Sequence, residues 1–317
     1  MSRVFLLCLF LLARACRLCS ARLCSAETVS VYFTPHQAVD QLLLKTLSSA
    51  RDKIYLASYD FSYQPLMELL LRLKRDRPSL TLRIICENPS EKWPPVFREM
   101  VRIDRKSSLF HAKFITIDGQ LLITGSLNFT NDSFFLHHNQ VFFFHDPELT
   151  QIFEKRFEAW WENKPGPASY RRAGLLAGFS PDFDCETAIA TALAQARESI
   201  HFSQFQFTSQ SLAELLVKKS LTGCRVYGLM EATGTGPFSV YPFLFDLGVA
   251  VRRNLMAGLL HDKNFIIDGR TVITGSYNPT AAARNNVESL LILKNENLAR
   301  QLLREWKRLW RWKSLPE

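Results

Sequence analysis

Residues 111–130 read HAKFITIDGQLLITGSLNFT, and residues 261–280, 150 positions later, read HDKNFIIDGRTVITGSYNPT. Both stretches keep one skeleton, H-x-K-x4-D-x6-G-S-x-N. A duplication at this distance constrains the chain to two similar halves, because each repeat must belong to its own unit of supersecondary structure. At 317 residues each half has the size of an ordinary domain, and a hydrophobic content of 47% lets each close a core.

The repeat extends beyond the motif. Ala50-Arg51 recurs as Ala196-Arg197 at an offset of 146, and strands are expected after each, over 54–61 and 200–207. Helical patterns at 36–50 and 65–75, with strands at 29–33, 53–61 and 80–86, are replayed by helices at 185–199 and 211–220 and a strand at 224–230. This alternation predicts an α/β layered domain in each half. Each motif is followed by an apolar strand, 141–144 or 289–293, and then by a helix ending in tryptophan, with Trp160 and Trp310 again 150 apart. The stretch 163–172, with Lys-Pro-Gly-Pro and a basic pair, reads as a connection. The expected organisation is a leader 1–26, a domain 27–163, a linker 164–180 and a domain 181–317.

The leader is set apart by composition. Arg3 precedes an apolar run of ten residues, 4–13, followed by Arg14, Arg17, Arg22 and a small-residue ending at Ala26. Such a run is too short for a bilayer, which needs about twenty residues, and suits the core of a secretory signal. A secreted or periplasmic protein cleaved near Ala26 is expected, with retention as a membrane anchor as the alternative. Cys8, Cys16, Cys19 and Cys24 lie in the leader, so Cys86, Cys185 and Cys224 remain, without ligand spacing, and read as buried free thiols. The leader holds four of the 39 basic residues and no acid, so the formal charge of +9 falls to +5 beyond it, 35 basic against 30 acidic residues. A mildly basic chain favours an anionic partner, phospholipid or nucleic acid, without choosing between them.

The motif itself carries chemistry. His111 and Lys113, like His261 and Lys263, are two apart, and on a strand such residues face the same way. Asp118-Gly119 and Asp268-Gly269 are hairpin dipeptides, so each motif folds back on itself. Ser126 with Asn128, and Ser276 with Asn278, then share a face on the return strand. A pocket of paired histidines, lysines and asparagines suits a phosphodiester. Lys113, Lys263, Asn128 and Asn278 stabilise charge on the non-bridging oxygens. One histidine attacks phosphorus while the other protonates the leaving oxygen and later activates water. No clustered carboxylates of the two-metal kind accompany them, so no catalytic metal and no cofactor are expected.

This duplicated skeleton resembles the HKD signature of the phospholipase D superfamily, matching at all six signature positions in both copies. The resemblance covers nearly the whole chain beyond the leader. It implies two duplicated α/β domains packed with pseudo-twofold symmetry around one active site, with His111, Lys113, Asp118, His261, Lys263 and Asp268 as the catalytic set. By the same resemblance His111 becomes the phosphohistidine, His261 is the acid and base, and Asp118 and Asp268 support rather than attack. Family members also carry a polar residue after the motif, commonly Glu in N-x-E, that orients a histidine. Asn286-Val287-Glu288 matches this element, whereas His138-Asn139-Gln140 places Gln140 where Glu would stand. Ser126, Ser276, Gln140 and Glu288 are the expected supporting residues.

The other features have plainer readings. His137-His138 reads as a polar loop beside the site rather than a metal site, and His201 as structural. Trp306, Trp310 and Trp312, among Arg and Lys, read as packing on the domain, with contact to a membrane surface as the second reading. Loops 87–105 and 231–242 are the candidates for substrate selection. Trp93, Pro94, Pro95, Val96 and Phe97, with Phe238, Tyr241 and Phe243, would make an apolar rim for acyl chains. The expected activity is therefore hydrolysis of a phospholipid head group, with a secreted endonuclease of the same fold as the alternative and no obligate protein partner.

Overall fold

The structure, a computed structural model, describes residues 29–89, 95–104 and 107–311. The expected leader, Trp93, Pro94 and Trp312 lie outside the described residues. The first half contains β1 (Val29–Thr34), α1 (Val39–Ser48), β2 (Lys53–Phe61), α2 (Gln64–Asp76), β3 (Thr81–Pro89), β4 (Val101–Ile103), β5 (Phe114–Ile117), β6 (Leu121–Gly125), α3 (Asn131–Phe135), β7 (Asn139–Phe144) and α4 (Pro147–Glu162). The second contains β8 (Ser169–Arg172), β9 (Leu175–Ser180), α5 (Cys185–Ala194), β10 (Ser199–Gln204), α6 (Gln210–Leu221), β11 (Arg225–Glu231), α7 (Tyr241–Asp246), β12 (Ala250–Asn254), β13 (Lys263–Ile267), β14 (Thr271–Gly275), β15 (Glu288–Lys294) and α8 (Glu296–Arg311).

Each half builds one mixed sheet. The first has seven strands in the order β1-β7-β6-β5-β2-β3-β4, and the second eight, read as β8-β9-β15-β14-β13-β10-β11-β12. From β9 onward the second order reproduces the first, so β9 takes the place of β1. The expected linker 164–180 is therefore corrected: its last part is a buried strand paired antiparallel with β15. The apolar run LLAGFS, masked in the sequence by its basic and proline-rich neighbours, satisfies its backbone in the sheet. Thr34-Pro35 and Ser180-Pro181, 146 apart, are both cis.

Local chemistry sets the element ends. Helix α4 starts where Asp146 accepts the backbone N–H of Leu149, with Pro147 in the first turn, and it stops at Asn163, whose φ of 59° is left-handed. The motif hairpins turn on Asp118 (φ 52°) and Gly119 (φ 65°), and on Asp268 (φ 52°) and Gly269 (φ 60°), the paired positive φ of a tight hairpin turn.

Helices α1 and α2 pack Leu43, Leu47, Leu66 and Leu70 against Ile54, Leu56, Ile84 and Ile115 of the first sheet. In the second half Leu193, Leu212, Leu216 and Leu244 cover Phe202, Phe265 and Ile267. A third cluster belongs to both halves: Phe153 and Phe157 of α4 meet Phe179 of β9, together with Leu302 and Trp306 of α8. Each such large side chain contributes about 1.5–3 kcal/mol of burial, so the halves are joined through a core and not only through the chain. Trp306 is buried and its Nε1 donates to the Phe202 carbonyl at 2.8 Å. Trp310 stacks on it, so for both residues packing is the role observed. The repeat pairs Trp310 with Trp161 rather than Trp160: Arg252 donates to the Trp310 carbonyl, and Arg102 to that of Trp161. Cys86, Cys185 and Cys224 are buried free thiols. Among the described residues no helix is long and apolar enough to cross a membrane.

Candidate active site

The two motifs begin at the seam between the sheets. The His111 N–H donates to the Val287 carbonyl at 2.8 Å and the His261 N–H to that of His138 at 2.9 Å, a reciprocal exchange between halves. The chain just before each histidine is held the same way in both copies. Glu87, at the end of β3, accepts the Phe110 N–H at 2.8 Å, and Glu231, at the end of β11, accepts the Leu260 N–H at 2.7 Å. These anchors bring His111 and His261 into one cleft of about 590 Å³, lined also by Tyr59, Asn128, Phe205 and Asn278.

Each histidine is oriented from the opposite half. His111 Nδ1 lies 2.8 Å from both oxygens of Glu288, whose carboxylate is fully buried. His261 Nδ1 lies 2.9 Å from Oδ1 of Asn139. The Asn139 amide is itself fixed, its Nδ2 donating to Thr34 Oγ1 and the Ser133 carbonyl. Both histidines therefore turn Nε2 away from these partners.

This geometry corrects the place given to Gln140. Ser126 N–H donates to the Gln140 carbonyl and Ser276 N–H to that of Ser289, so Gln140 corresponds to Ser289 and Asn139 to Glu288. A shift of one residue along a strand moves a side chain to the other face. Gln140 instead donates through Nε2 to Asp262 at 3.2 Å. Asn139, missed in the sequence, could have been found by aligning β7 with β15 on their G-S partners rather than on an N-x-E word.

Lys113 and Lys263 are buried, and each Nζ donates to the carbonyl of its own histidine, His111 or His261, at 2.8 Å. Their ammonium groups sit over the rings of Tyr59 (5.4 Å) and Phe205 (5.0 Å). Those same rings meet His111 and His261 edge-on, at 5.1 and 4.8 Å. Tyr59 and Phe205 were not singled out in the sequence, although both stand at the matching ends of β2 and β10. Burial lowers Lys113 to about 7 against the opposing pull of Glu288 and Asp60, and takes Lys263 well below the ordinary lysine range. Burial also lowers both histidines. At His111 the Glu288 carboxylate opposes this, whereas at His261 the neighbouring Lys263 and Lys113 add to it. Asn128 and Asn278 both line the cleft, and each keeps a buried amide oxygen without a partner among the described residues.

The motif aspartates stand elsewhere, which removes them from the reacting set. Asp118 accepts the backbone N–H groups of Arg51, Asp52 and Lys53 at 2.8–2.9 Å, and Asp268 those of Arg197, Glu198 and Ser199 at 2.8–3.2 Å. They lie seven residues along the motif from the histidines, about 20 Å at the rise of a strand, and they fasten the hairpin to the start of β2 or β10. Ser126 and Ser276 accept the N–H of Gln140 and Ser289 and tie the return strand to its neighbour.

His137 lines the cleft and its Nδ1 accepts the Leu259 N–H. His138 is buried, with Nδ1 2.9 Å from Asp262 and Nε2 2.9 Å from Glu305. Two carboxylates on two ring nitrogens require the imidazolium form. Burial alone would lower its pKa, but Asp262 and Glu305 raise it to about 9. It is a charged strut and not part of an open loop. His201 packs on Tyr227 and Trp306, held neutral by burial with a pKa of about 4. Among the described residues no three His, Cys, Asp or Glu are grouped to hold a metal ion. Of the expected apolar rim, Val96 and Phe238 are exposed, but Tyr241 is buried in the second core and Phe243 packs against it. The side chain of Phe97 lies outside the described residues.

A duplicated α/β sheet pair that brings two histidines, two lysines and two amides to one seam defines a phosphodiesterase class. The domain family described as "Cardiolipin synthase, PLD-like domain" matches residues 43–161 and 189–310. A phospholipase D from Rickettsia felis is 31% identical over 137 residues, covering 43% of this chain and 68% of its own length. The mitochondrial cardiolipin hydrolase of Canis lupus familiaris is 31% identical over 173 residues, 54% of this chain and 66% of that protein. The crystal structure of phosphatidylserine synthase from Haemophilus influenzae Rd KW20 shares the fold, with a TM-score of 0.69, 12% identity, and 90% of this chain and 86% of that chain covered. The chain belongs to the phospholipase D superfamily and is a phosphodiester hydrolase.

Proposed function

We propose that the enzyme hydrolyses a phospholipid head group through a phosphohistidine on His111, with His261 as acid and then base. The observation that carries the division of roles is the unequal pair of orienting groups. Glu288 gives His111 an anionic partner that stabilises the cation formed when its Nε2 bonds to phosphorus. Asn139 gives His261 a neutral partner, and Lys263 and Lys113 press against its cationic form, which suits a group that must release a proton. A bound phosphodiester anion favours the charged forms of both lysines and of His261. His261 then delivers its proton to the departing head-group alcohol, takes one from water, and that water displaces phosphatidate from His111. The lysines and the amides of Asn128 and Asn278 stabilise the non-bridging oxygens, and no step requires a metal.

Two observations support a lipid over a nucleic acid. Asp60 and Asp132 line the cleft, where they tolerate one phosphodiester but oppose a polyanionic strand. Leu109 lines the cleft, and it, Phe135 and Leu136 are exposed, an apolar margin suited to acyl chains. Export through the leader 1–26 is part of the same proposal, and an N-terminus at Glu27 on the mature protein tests it. The activity is tested by incubating purified protein in EDTA with phosphatidylcholine, cardiolipin, and single- and double-stranded DNA. Release of a head group in EDTA is expected. Turnover of DNA alone contradicts the lipid reading, and loss of all turnover in EDTA contradicts the metal-free chemistry.

A further inference from the structure

Helix α8 has a face that catalysis does not use. Arg300, Arg304, Lys307 and Arg311 are all exposed and are spaced by four, three and four residues. That spacing puts them on one stripe, about 16 Å long at ~1.5 Å per residue. None has an acidic partner among the described residues, because the acids of the helix are engaged elsewhere. Glu305 is held by His138 and Arg308, and Glu296 lies 3.5 Å from Arg270.

The duplication supplies an internal comparison. In the register set by Trp161 and Trp310, the same four positions of α4 are Gln151, Lys155, Glu158 and Glu162, one cation against two anions, or −1 in place of +4. Glu158 accepts from Tyr55 at 2.9 Å, and Glu162 pairs with Lys164 at 2.8 Å. Since α4 folds and packs on its sheet without a basic stripe, nothing in the fold demands the one on α8.

A groove of about 550 Å³ opens beside the stripe, where Ser199, Arg225, Tyr227, Lys307 and Arg311 meet. In the first half the corresponding space is closed by Glu154, which pairs with Lys53 at 2.7 Å and accepts the Gly119 N–H at 3.0 Å. Ser199 and Leu303 replace Lys53 and Glu154 in the second half, so the groove stays open. Glu198 and Asp268, the latter also held by backbone N–H groups, stand at its edge against three cations, Arg225, Lys307 and Arg311. The ring faces nearby are engaged as well: Trp310 stacks on Trp306 at 4.8 Å and carries Arg252 at 4.2 Å. The surface therefore presents charge and a hydroxyl rather than open aromatic platforms on which bases stack.

We propose that this stripe and groove dock the protein on an anionic phospholipid surface, with an acidic head group seated among Arg225, Lys307 and Arg311. The choice of a bilayer over a nucleic acid rests on the phospholipid reading above. The charge argument stands by itself, because a cluster of four or more cations on one helix face is what an anionic leaflet attracts.

The test is co-sedimentation of the full chain with phosphatidylcholine vesicles, with and without phosphatidylserine, at low and high salt. Binding is expected only with phosphatidylserine, and weaker in salt. Each exposed cation is expected to strengthen partitioning about five-fold. The variant Arg300→Gln/Arg304→Gln/Lys307→Gln/Arg311→Gln should then lose binding by at least about a hundred-fold while keeping turnover of a soluble chromogenic phosphodiester. The reciprocal variant Gln151→Arg/Glu158→Arg/Glu162→Arg should bind acidic vesicles more tightly than the wild type. Unchanged sedimentation of the quadruple variant overturns the proposal, as does a wild-type preference for duplex DNA over acidic vesicles. Vesicle binding without lipid turnover would refute the substrate reading and still support the docking surface.

Discussion

Replacing Glu288 by Gln removes one charge and little else. The side chain is fully buried, and both of its oxygens lie 2.8 Å from His111 Nδ1. Gln keeps the length, the volume and one acceptor oxygen, so His111 can hold its tautomer. When phosphorus bonds to Nε2 the ring becomes cationic, roughly 4 Å from the carboxylate, an attraction of about 4 kcal/mol at an effective dielectric constant of ~20. The amide oxygen of Gln restores about 1 kcal/mol of this, leaving a loss of about 3 kcal/mol, or roughly a hundred-fold in kcat. KM should change little, because Glu288 does not line the cleft. Steady-state kinetics on a phospholipid, with a thermal melt to show that the fold is intact, make the measurement. A fall in kcat smaller than about five-fold, or a loss confined to KM, would refute the role given to the carboxylate.

Three further outcomes follow from the geometry. Lys113 is lowered to about 7 in the free enzyme, so kcat/KM should fall as pH rises through that value, while the alkaline limb of kcat lies higher because a bound phosphodiester restores the ammonium form. Asp118→Asn should cost about 1–2 kcal/mol of stability by weakening its bonds to the Arg51, Asp52 and Lys53 amides, with kcat within about two-fold of wild type; a kcat loss without a stability loss would return Asp118 to the chemistry. His138 has a folded pKa raised from 6.5 to about 9, so its contribution is complete below pH 6.5 and is lost as pH rises through 9. Denaturant titrations from neutral to alkaline pH should show a loss on the order of 3 kcal/mol, absent in His138→Leu.

The motif pair made the fold class, the shared site and four of its residue types legible before any coordinates, because the spacing of His, Lys, Ser and Asn along a strand dictates which of them share a face. What the sequence hid was register. Asn139 and Gln140 differ by one position, and only the pairing of β6 with β7 shows which of them reaches His261. The same kind of slip set Trp160 in place of Trp161. The strand β9 was hidden by composition, since its neighbours are basic and rich in proline while its own six residues are buried. Asp118 and Asp268 were expected to support rather than attack, as the hairpin bonds show. The signature grouped them with the catalytic set because it orders residues along the chain, whereas the hairpin carries its turn to the opposite end of the sheet. The strut of His138, Asp262 and Glu305 draws on three distant segments, so no local pattern could announce it.

The division of labour between the two histidines is tested most directly by trapping the covalent intermediate. In His261→Ala the attack on phosphorus proceeds with an activated leaving group, but water is no longer deprotonated, so the phosphoryl adduct should accumulate. Rapid quenching with a chromogenic phosphodiester, proteolysis under alkaline conditions and mass spectrometry should find the added phosphoryl group on the peptide containing His111, and none in His111→Ala. An adduct on His261 in His111→Ala, with none on His111 in His261→Ala, would contradict the assignment.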